Sequence, residues 1–172
     1  MRRFRLQTRP RLTRAAVAAA LILLPLSGPA QEGVSSASLQ GIDTFASQGV
    51  PMDFISLEAV FFEFDKATLD ERARRTLDRA ARYILARPGV YRILVEGHAD
   101  SRASEDYNYR LADRRAAAVR DYLAAQGVAP ELMFVAGLGE NFPIDEYWTR
   151  EGQRRNRHVE VYIIEHPVRG AD

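Results

Sequence analysis

Strand-like and helix-like segments alternate along this chain from residue 53 onward, and their order restricts the fold more than any other feature. Three segments are rich in aromatic and β-branched residues, and a fourth alternates apolar with polar residues, as is typical of strands. These predicted strands are 54–64, 91–95, 132–136 and 159–163. Two helical segments separate the first three strands, and a loop from 137 to 156 precedes the last one. The order β-α-β-α-β-loop-β predicts a single α/β domain in which two helices pack on a small mixed sheet.

Both predicted helices have start and stop signals in the sequence. The first helix follows Thr68-Leu-Asp-Glu71, which has the pattern of a capping box and places the Thr68 hydroxyl at the helix start. Pro88-Gly89 should end it. The second helix should begin at Ser104, which is followed by two acidic residues, and should end near Gly127.

The first thirty residues have the composition of a secretory signal. Six arginines and no acidic residue lie there, together with an apolar run at 15–26 and small residues up to Ala30. The twelve-residue apolar run is shorter than the roughly 20 residues that span a bilayer, so we expect cleavage after Ala30 and no permanent membrane span, with a retained anchor as the alternative. The expected division is a signal peptide 1–30, a Ser- and Gly-rich linker 31–52, a domain 53–166 and a C-terminal tail 167–172.

The charge of the chain is unevenly distributed. The formal net charge is +1, with 24 basic and 23 acidic residues. Without the six N-terminal arginines, 18 basic residues remain against the same 23 acidic ones. A mildly acidic domain argues against nucleic acid as a partner, since nucleic acid favours a basic face. The absence of cysteine excludes a disulfide framework, a thiolate metal site and a lipid-modified cysteine.

Two polar residues of the second predicted helix, Arg115 and Asn108, lie within its arc of apolar side chains. Helical side chains lean toward the N-terminus, so both point to the end of the sheet where Asp100 follows its strand. Arg157 has the parity of the inward-facing residues of the last strand and should lie at the same end. A buried charge must be paired. An internal salt bridge between Arg115 and Asp100 would satisfy this, but we favour a site for a ligand that carries both an amine and a carboxylate.

The chain has few of the residues that an active site needs. Its three histidines are His98, His158 and His166, without metal-ligand spacing, and no nucleophile motif is present. We therefore expect a protein that is not an enzyme and has neither a metal site nor a cofactor. His98 should fix the end of its strand by forming hydrogen bonds. Phe142, Tyr147 and Trp148 in the long loop should form a satellite cluster over the sheet, with a partner-binding patch as the alternative.

Several motifs together resemble the OmpA-like C-terminal domain family over residues 53–165. They are Phe62-Glu-Phe64-Asp65, Gly97-His98-Ala99-Asp100, Tyr107-Asn108 to Arg115-Ala116, Gly137-Leu-Gly139-Glu140, and Asn156-Arg157-His158-Val159-Glu160. The chain departs from the pattern at three positions. Ala99 stands where threonine is usual, Ala103 replaces a common glycine, and His158 stands where a second arginine is frequent.

The resemblance implies non-covalent binding of peptidoglycan in the periplasm through the diaminopimelate residue of its stem peptide. Asp100 would accept hydrogen bonds from the ammonium group, and Arg115 would hold the carboxylate. The same pocket would be lined by Asn108, Arg157, Phe64 and Asp65. The expected location is periplasmic, peripherally associated with the outer membrane, with other envelope proteins as further partners. The alternative is an envelope scaffold or stator-like component whose main partner is another protein.

Overall fold

A computed structural model describes residues 53–87 and 90–165 of the chain. The predicted signal peptide 1–30, linker 31–52 and C-terminal tail 167–172 lie outside these residues. The described elements, in chain order, are β1 (Asp53–Ser56), β2 (Val60–Phe61), α1 (Glu71–Leu85), β3 (Val90–Gly97), α2 (Glu105–Ala125), a 3-10 turn (Pro130–Leu132), β4 (Met133–Gly137), α3 (Arg150–Asn156) and β5 (His158–Glu165).

The strands form one mixed sheet in the order β1-β5-β3-β4, and β2 also pairs with β5. β3 and β4 are parallel, whereas β5 is antiparallel to β1, β2 and β3. The βαβ unit β3-α2-β4 accounts for the parallel pair, because a helical crossover returns the chain in the same direction. The expected mixed α/β fold is therefore confirmed.

The core lies between one face of the sheet and the first two helices. Val159, Val161 and Ile163 of β5 are at most 1% exposed, as their alternation in the sequence predicts. They belong to the same buried cluster as Leu77 of α1 and Leu123 of α2. The helices thus cover one face of the sheet. The residues of β5 that alternate with these three have their side chains on the other face.

The prediction of one continuous first strand is wrong, because 57–59 separate β1 from β2. Ile55 pairs with Ile163 and Val60 pairs with Val159. The segment from Ile55 to Val60 thus has one residue more than the segment of β5 that it faces. Such an extra residue interrupts the ladder in the manner of a β-bulge.

The first helix is capped differently from the prediction, whereas the second agrees with it. Asp70 is the N-cap of α1, and its carboxylate accepts a hydrogen bond from the Ala73 amide at 2.7 Å. The predicted capping box at Thr68 is therefore wrong, because the helix begins at Glu71 and the adjacent aspartate is in reach of its free amides. Ser104 caps α2 as expected, accepting from the Tyr107 amide.

A third helix, α3, lies in the segment predicted to be loop. Its residues are almost all polar, so no apolar periodicity marks it, but Thr149 caps it by accepting from the Gly152 amide at 2.9 Å. Asn156 at its end is buried and accepts hydrogen bonds from the amides of Ile144 and Asp145, both at 2.9 Å. This side chain fixes the preceding loop against the last strand.

Within 53–87 and 90–165, no helix combines the length and the apolar character that crossing a membrane requires.

Candidate functional site

A close contact between β3 and α2 positions the candidate site. A Cβ atom at Gly97 would lie 1.9 Å from the carbonyl oxygen of Ala112, so only glycine allows the strand and helix to approach this closely. Gly137 at the end of β4 contacts α2 in the same way, since its Cβ would lie 2.6 Å from the Asp113 amide. Asp100, three residues after Gly97, is therefore brought close to the first turns of α2.

Arg115 is completely buried, and backbone carbonyl groups hold its guanidinium. Its Nε donates to Lys66 O and its Nη1 to His98 O, both at 2.8 Å, and its Nη2 donates to Glu63 O at 3.2 Å. Three of the five N–H donors of an arginine are used in this way, which leaves two. Among the described residues, no carboxylate lies within ion-pair distance of Arg115.

Asp100 is buried and is paired with two other arginines. Arg157 donates from Nη1 at 3.0 Å, and Arg102 donates from Nη2 at 2.6 Å and from Nε at 3.2 Å. All three bonds are made to Oδ2 of Asp100, so Oδ1 is not used by them. Arg115 and Asp100 therefore do not form the direct salt bridge that was the alternative prediction. Arg115 donates to backbone carbonyl groups, and Arg157 donates to the Asp100 carboxylate.

Burial and neighbouring charges act on the ionisation of both groups. Desolvation lowers the pKa of Arg115 to about 10, and repulsion from the nearby Arg157 contributes, so Arg115 remains a cation at neutral pH. Burial acts to raise the pKa of Asp100, but hydrogen bonds from Arg102 and Arg157 outweigh it, and the net shift is downward. The site therefore combines a stable carboxylate with a buried cation that has no carboxylate partner within 53–87 and 90–165.

The remaining predicted residues surround this pair. Asn108 is buried and donates from Nδ2 to Glu140 Oε2 at 2.5 Å and to Ala103 O at 3.3 Å. Phe64 is 55% exposed, and the Arg102 guanidinium lies 3.8 Å from the centre of its ring. The residue after Phe64, Asp65, has a positive φ of 55° and accepts a hydrogen bond from the hydroxyl of a tyrosine in α2.

These residues line one pocket with a volume of about 390 Å³. All six site residues predicted from the sequence contribute to it, and four further residues complete the lining. The ten are Phe64, Asp65, Asp100, Ala103, Ser104, Tyr107, Asn108, Leu111, Arg115 and Arg157. The structure thus brings the predicted residues together, and their role in binding a ligand stays a prediction.

Besides Ser104, which was predicted only as a helix cap, two polar contributors to the site were not predicted. Tyr107 donates the hydrogen bond to Asp65. It lies one turn before Leu111 on the same face of α2, so helical spacing could have predicted that it faces the pocket. Arg102 contacts both Asp100 and Phe64 from a partly exposed position. It lies in a loop between β3 and α2, where no periodicity indicates the direction of a side chain.

The aromatic residues of the long loop do not form the expected satellite cluster. Trp148 is 75% exposed and Tyr147 is 43% exposed, with their ring centres 6.2 Å apart. They are an exposed pair rather than part of a buried cluster, whereas Phe142, the third residue of the predicted cluster, is half-buried.

Comparison with known proteins identifies related chains. A model of the OmpA family matches residues 61–157. Outer membrane protein A of Bordetella avium is 40% identical over 104 residues, which cover 60% of this chain and 53% of that protein. The peptidoglycan-associated lipoprotein of Pseudomonas aeruginosa is 33% identical over 135 residues, which cover 77% of this chain and 79% of that protein.

The crystal structure of the peptidoglycan-associated lipoprotein from Burkholderia pseudomallei has the same fold, with a TM-score of 0.58 at 28% identity over 62% of this chain and 89% of that one. The chain spans about half the length of several relatives that it matches, including the Bordetella protein. These relatives confirm the expectation that the chain is not an enzyme.

Proposed function

Because this chain belongs to the OmpA family, we propose that its folded domain binds peptidoglycan non-covalently in the bacterial cell envelope. The name of the Pseudomonas aeruginosa relative, of which the chain covers 79%, describes that protein as peptidoglycan-associated. The single observation that carries the proposal is Arg115, a buried cation that lines the pocket without a carboxylate partner among the described residues. A buried charge of this kind is costly unless a bound anion compensates it.

The ligand group that we propose for this pocket is the diaminopimelate residue of the stem peptide. Its side chain ends in an ammonium and a carboxylate on the same carbon atom. The carboxylate would accept the two N–H donors of Arg115 that the carbonyl groups leave. The ammonium would donate to Oδ1 of Asp100, since the three arginine bonds are made to Oδ2.

The other lining residues would shape and orient this contact. Phe64 offers an exposed apolar ring at the mouth of the pocket. Ser104 places the N-terminus of α2 beside it, where free backbone amides favour a carboxylate. Each charge-assisted hydrogen bond contributes about 1.5–3 kcal/mol, so a few bonds give modest affinity for one site. A polymer that presents many sites strengthens the attachment by avidity.

The proposed location is the periplasm, with peripheral association to the outer membrane and with other envelope proteins as further partners. An envelope scaffold or stator-like component is the second candidate function. The exposed pair Tyr147 and Trp148 favours it, because exposed aromatic side chains are enriched where proteins bind one another. The pair lines no part of the pocket, so both functions are compatible with the same domain.

Co-sedimentation of the purified chain with diaminopimelate-containing peptidoglycan tests the proposal. Asp100→Asn removes the negative charge at unchanged size. In Arg115→Lys, the single ammonium group cannot contact both the carbonyl groups and a ligand. Each should weaken binding at least about tenfold, since each removes a charge-assisted contact. Arg154→Lys is the matched control, because Arg154 is an exposed residue paired with Glu151 outside the pocket.

Two results would count against the proposal. One is a wild-type chain that remains in the supernatant at every peptidoglycan concentration. The other is pelleting of Asp100→Asn and Arg115→Lys to the wild-type level while circular dichroism shows both to be folded. A chain that pulls down envelope proteins through Trp148 but does not sediment with the wall would favour the scaffold function instead.

A further inference from the structure

The face of the sheet turned away from α1 and α2 has a second cluster of polar side chains. Glu96 of β3 lies opposite Glu160 of β5. The His98 amide donates to the His158 carbonyl at 2.8 Å, so the two histidines continue the same ladder. Alternate residues of a strand share a face, so all four side chains lie on the face opposite to that of the core residue Val159. Two histidines and two glutamates thus occupy neighbouring cross-strand positions.

The two imidazole rings lie against each other and beside a carboxylate. His98 and His158 are 3% and 0% exposed, and their rings stack with centres 4.3 Å apart and an interplanar angle of 2°. One nitrogen of each ring and a carboxylate oxygen of Glu160 all lie within 4.8 Å of one another. Ligand atoms around a tetrahedral zinc ion are about 3.4 Å apart, and each imidazole binds an ion that lies in its own plane. Because the two rings are parallel, one of them must turn out of the stack about its side-chain torsions for both nitrogens to face the same ion.

Hydrogen bonds orient two of the three groups as metal ligands usually are oriented. Nδ1 of His158 lies 3.1 Å from the carbonyl oxygen of Asn156. A carbonyl can only accept, so Nδ1 is the donating nitrogen and the lone pair is on Nε2. The hydroxyl of Tyr162 donates to Oε2 of Glu160 at 2.6 Å, which fixes the carboxylate through one oxygen.

We propose that His98, His158 and Glu160 bind one divalent transition-metal ion, with zinc as the ion that suits this donor set best. Two imidazoles and one carboxylate match the ligand preference of zinc, whereas magnesium and calcium prefer ligands that are all oxygen. A water molecule or the carboxylate of Glu96, directly across from Glu160, completes the four ligands. The chain contains no cysteine, so no thiolate competes for the ion.

The ion would crosslink β3 and β5 at the end of the sheet that carries the pocket. His98 is two residues before Asp100, and His158 directly follows Arg157. The carbonyl oxygen of His98 accepts from Arg115 on the other side of the sheet. A structural ion there would restrain the backbone that positions Asp100 and both pocket arginines. The metal site does not depend on the proposed function, since its test requires no cell-wall ligand.

Calorimetric titration of the full chain, without an affinity tag and stripped with EDTA, tests the site with zinc chloride. We expect saturable binding of one ion per chain. Cobalt should give the visible spectrum of a tetrahedral site, and added zinc should abolish it. His158→Gln and Glu160→Gln should each bind zinc at least about tenfold more weakly. His166→Gln is the matched control and should bind as the wild type does, because the proposed ligand set does not include the third histidine.

The proposal is overturned if the folded wild-type chain shows no saturable zinc binding. It is also overturned if both ligand variants retain wild-type affinity, or if His166→Gln alone abolishes binding. Glu160→Gln keeps the test decisive even where His158→Gln fails to fold, since Glu160 is only half-buried. Circular dichroism of each variant before titration establishes that it is folded.

Discussion

Arg157 donates a hydrogen bond from Nη1 to Oδ2 of Asp100 at 3.0 Å, and both side chains are buried. The same arginine donates from Nε to the Phe62 carbonyl at 3.1 Å. It therefore joins the start of β5 to the segment after β2 and to the segment after β3. Asp100 thus has a structural part in the domain in addition to the ligand-binding role that we propose.

Removing Arg157 should destabilise the fold strongly. Arg157→Gln leaves the buried carboxylate of Asp100 without one of its partners, and we expect a loss of about 3 kcal/mol in the free energy of unfolding. Arg154→Gln breaks an exposed ion pair with Glu151 and should cost less than about 1 kcal/mol. Urea unfolding of both variants measures the difference. Equal losses would contradict the structural importance of the buried pair.

Glu96 should make the stability depend on pH. Burial raises the pKa of Glu96 from 4.5 to about 8, and the neighbouring Glu160 adds to the shift. The folded-state pKa is above the unfolded value, so the stabilising contribution is complete below pH 4.5 and is lost as the pH rises toward 8. We expect this group to contribute a decrease of up to about 1.4 kcal/mol per pH unit within that window.

Glu96→Gln should remove this contribution, because glutamine does not ionise. Urea unfolding at several pH values, with EDTA present so that no metal contributes, compares the variant with the wild type. The two curves of stability against pH should diverge above pH 4.5. Parallel curves would show that the Glu96 carboxyl does not carry the dependence.

Gly97 and Gly127 should respond differently to the same substitution. Gly97→Ala places a Cβ atom 1.9 Å from the backbone of α2, which cannot be accommodated without moving the helix, and we expect a loss of about 3 kcal/mol or more. Gly127 has a φ of +95° but nothing within 4 Å of the added atom. Gly127→Ala should therefore cost only about 1–2 kcal/mol. Thermal unfolding that ranks the two in the opposite order would contradict the close contact.

Tyr107 should support the pocket through Asp65. Tyr107→Phe removes the hydrogen bond that the hydroxyl donates to Asp65, which lines the pocket. We expect peptidoglycan affinity to fall about threefold, because Asp65 then lacks the hydrogen bond that holds it beside the ligand. Tyr109→Phe is the control, because the Tyr109 hydroxyl accepts from Asn141 outside the pocket. Equal binding by the two variants in the sedimentation assay would exclude this role for Tyr107.

The sequence was sufficient to place the unusual polar residues but not to pair them. Arg115 and Asn108 were recognisable because a charge and an amide fell within the apolar arc of one helix, and the structure buries both. Their partners include carbonyl groups at 63, 66, 98 and 103, which no side-chain pattern reveals. For the same reason, a direct bond between Arg115 and Asp100 was a reasonable alternative that the structure does not have.

Local structure was predictable where apolar periodicity was strong. The second helix and its Ser104 cap agree with the prediction because its apolar face is long and regular. The third helix was missed because Arg150–Asn156 is polar on every side and is held by its cap and by Asn156. The neighbouring positions of His98 and His158 arise from the pairing of β3 with β5, so spacing along the chain gave no indication of them.

The most direct test of the pocket is calorimetric titration of the chain with two soluble stem peptides that differ in one residue. One peptide contains diaminopimelate, and the other contains lysine, which lacks the carboxylate beside the side-chain ammonium. A clamp formed by Asp100 and Arg115 predicts at least about tenfold tighter binding of the diaminopimelate peptide, since only that peptide has a carboxylate on the carbon that carries the side-chain ammonium. Equal affinity for the two peptides, or no binding of either, would contradict it.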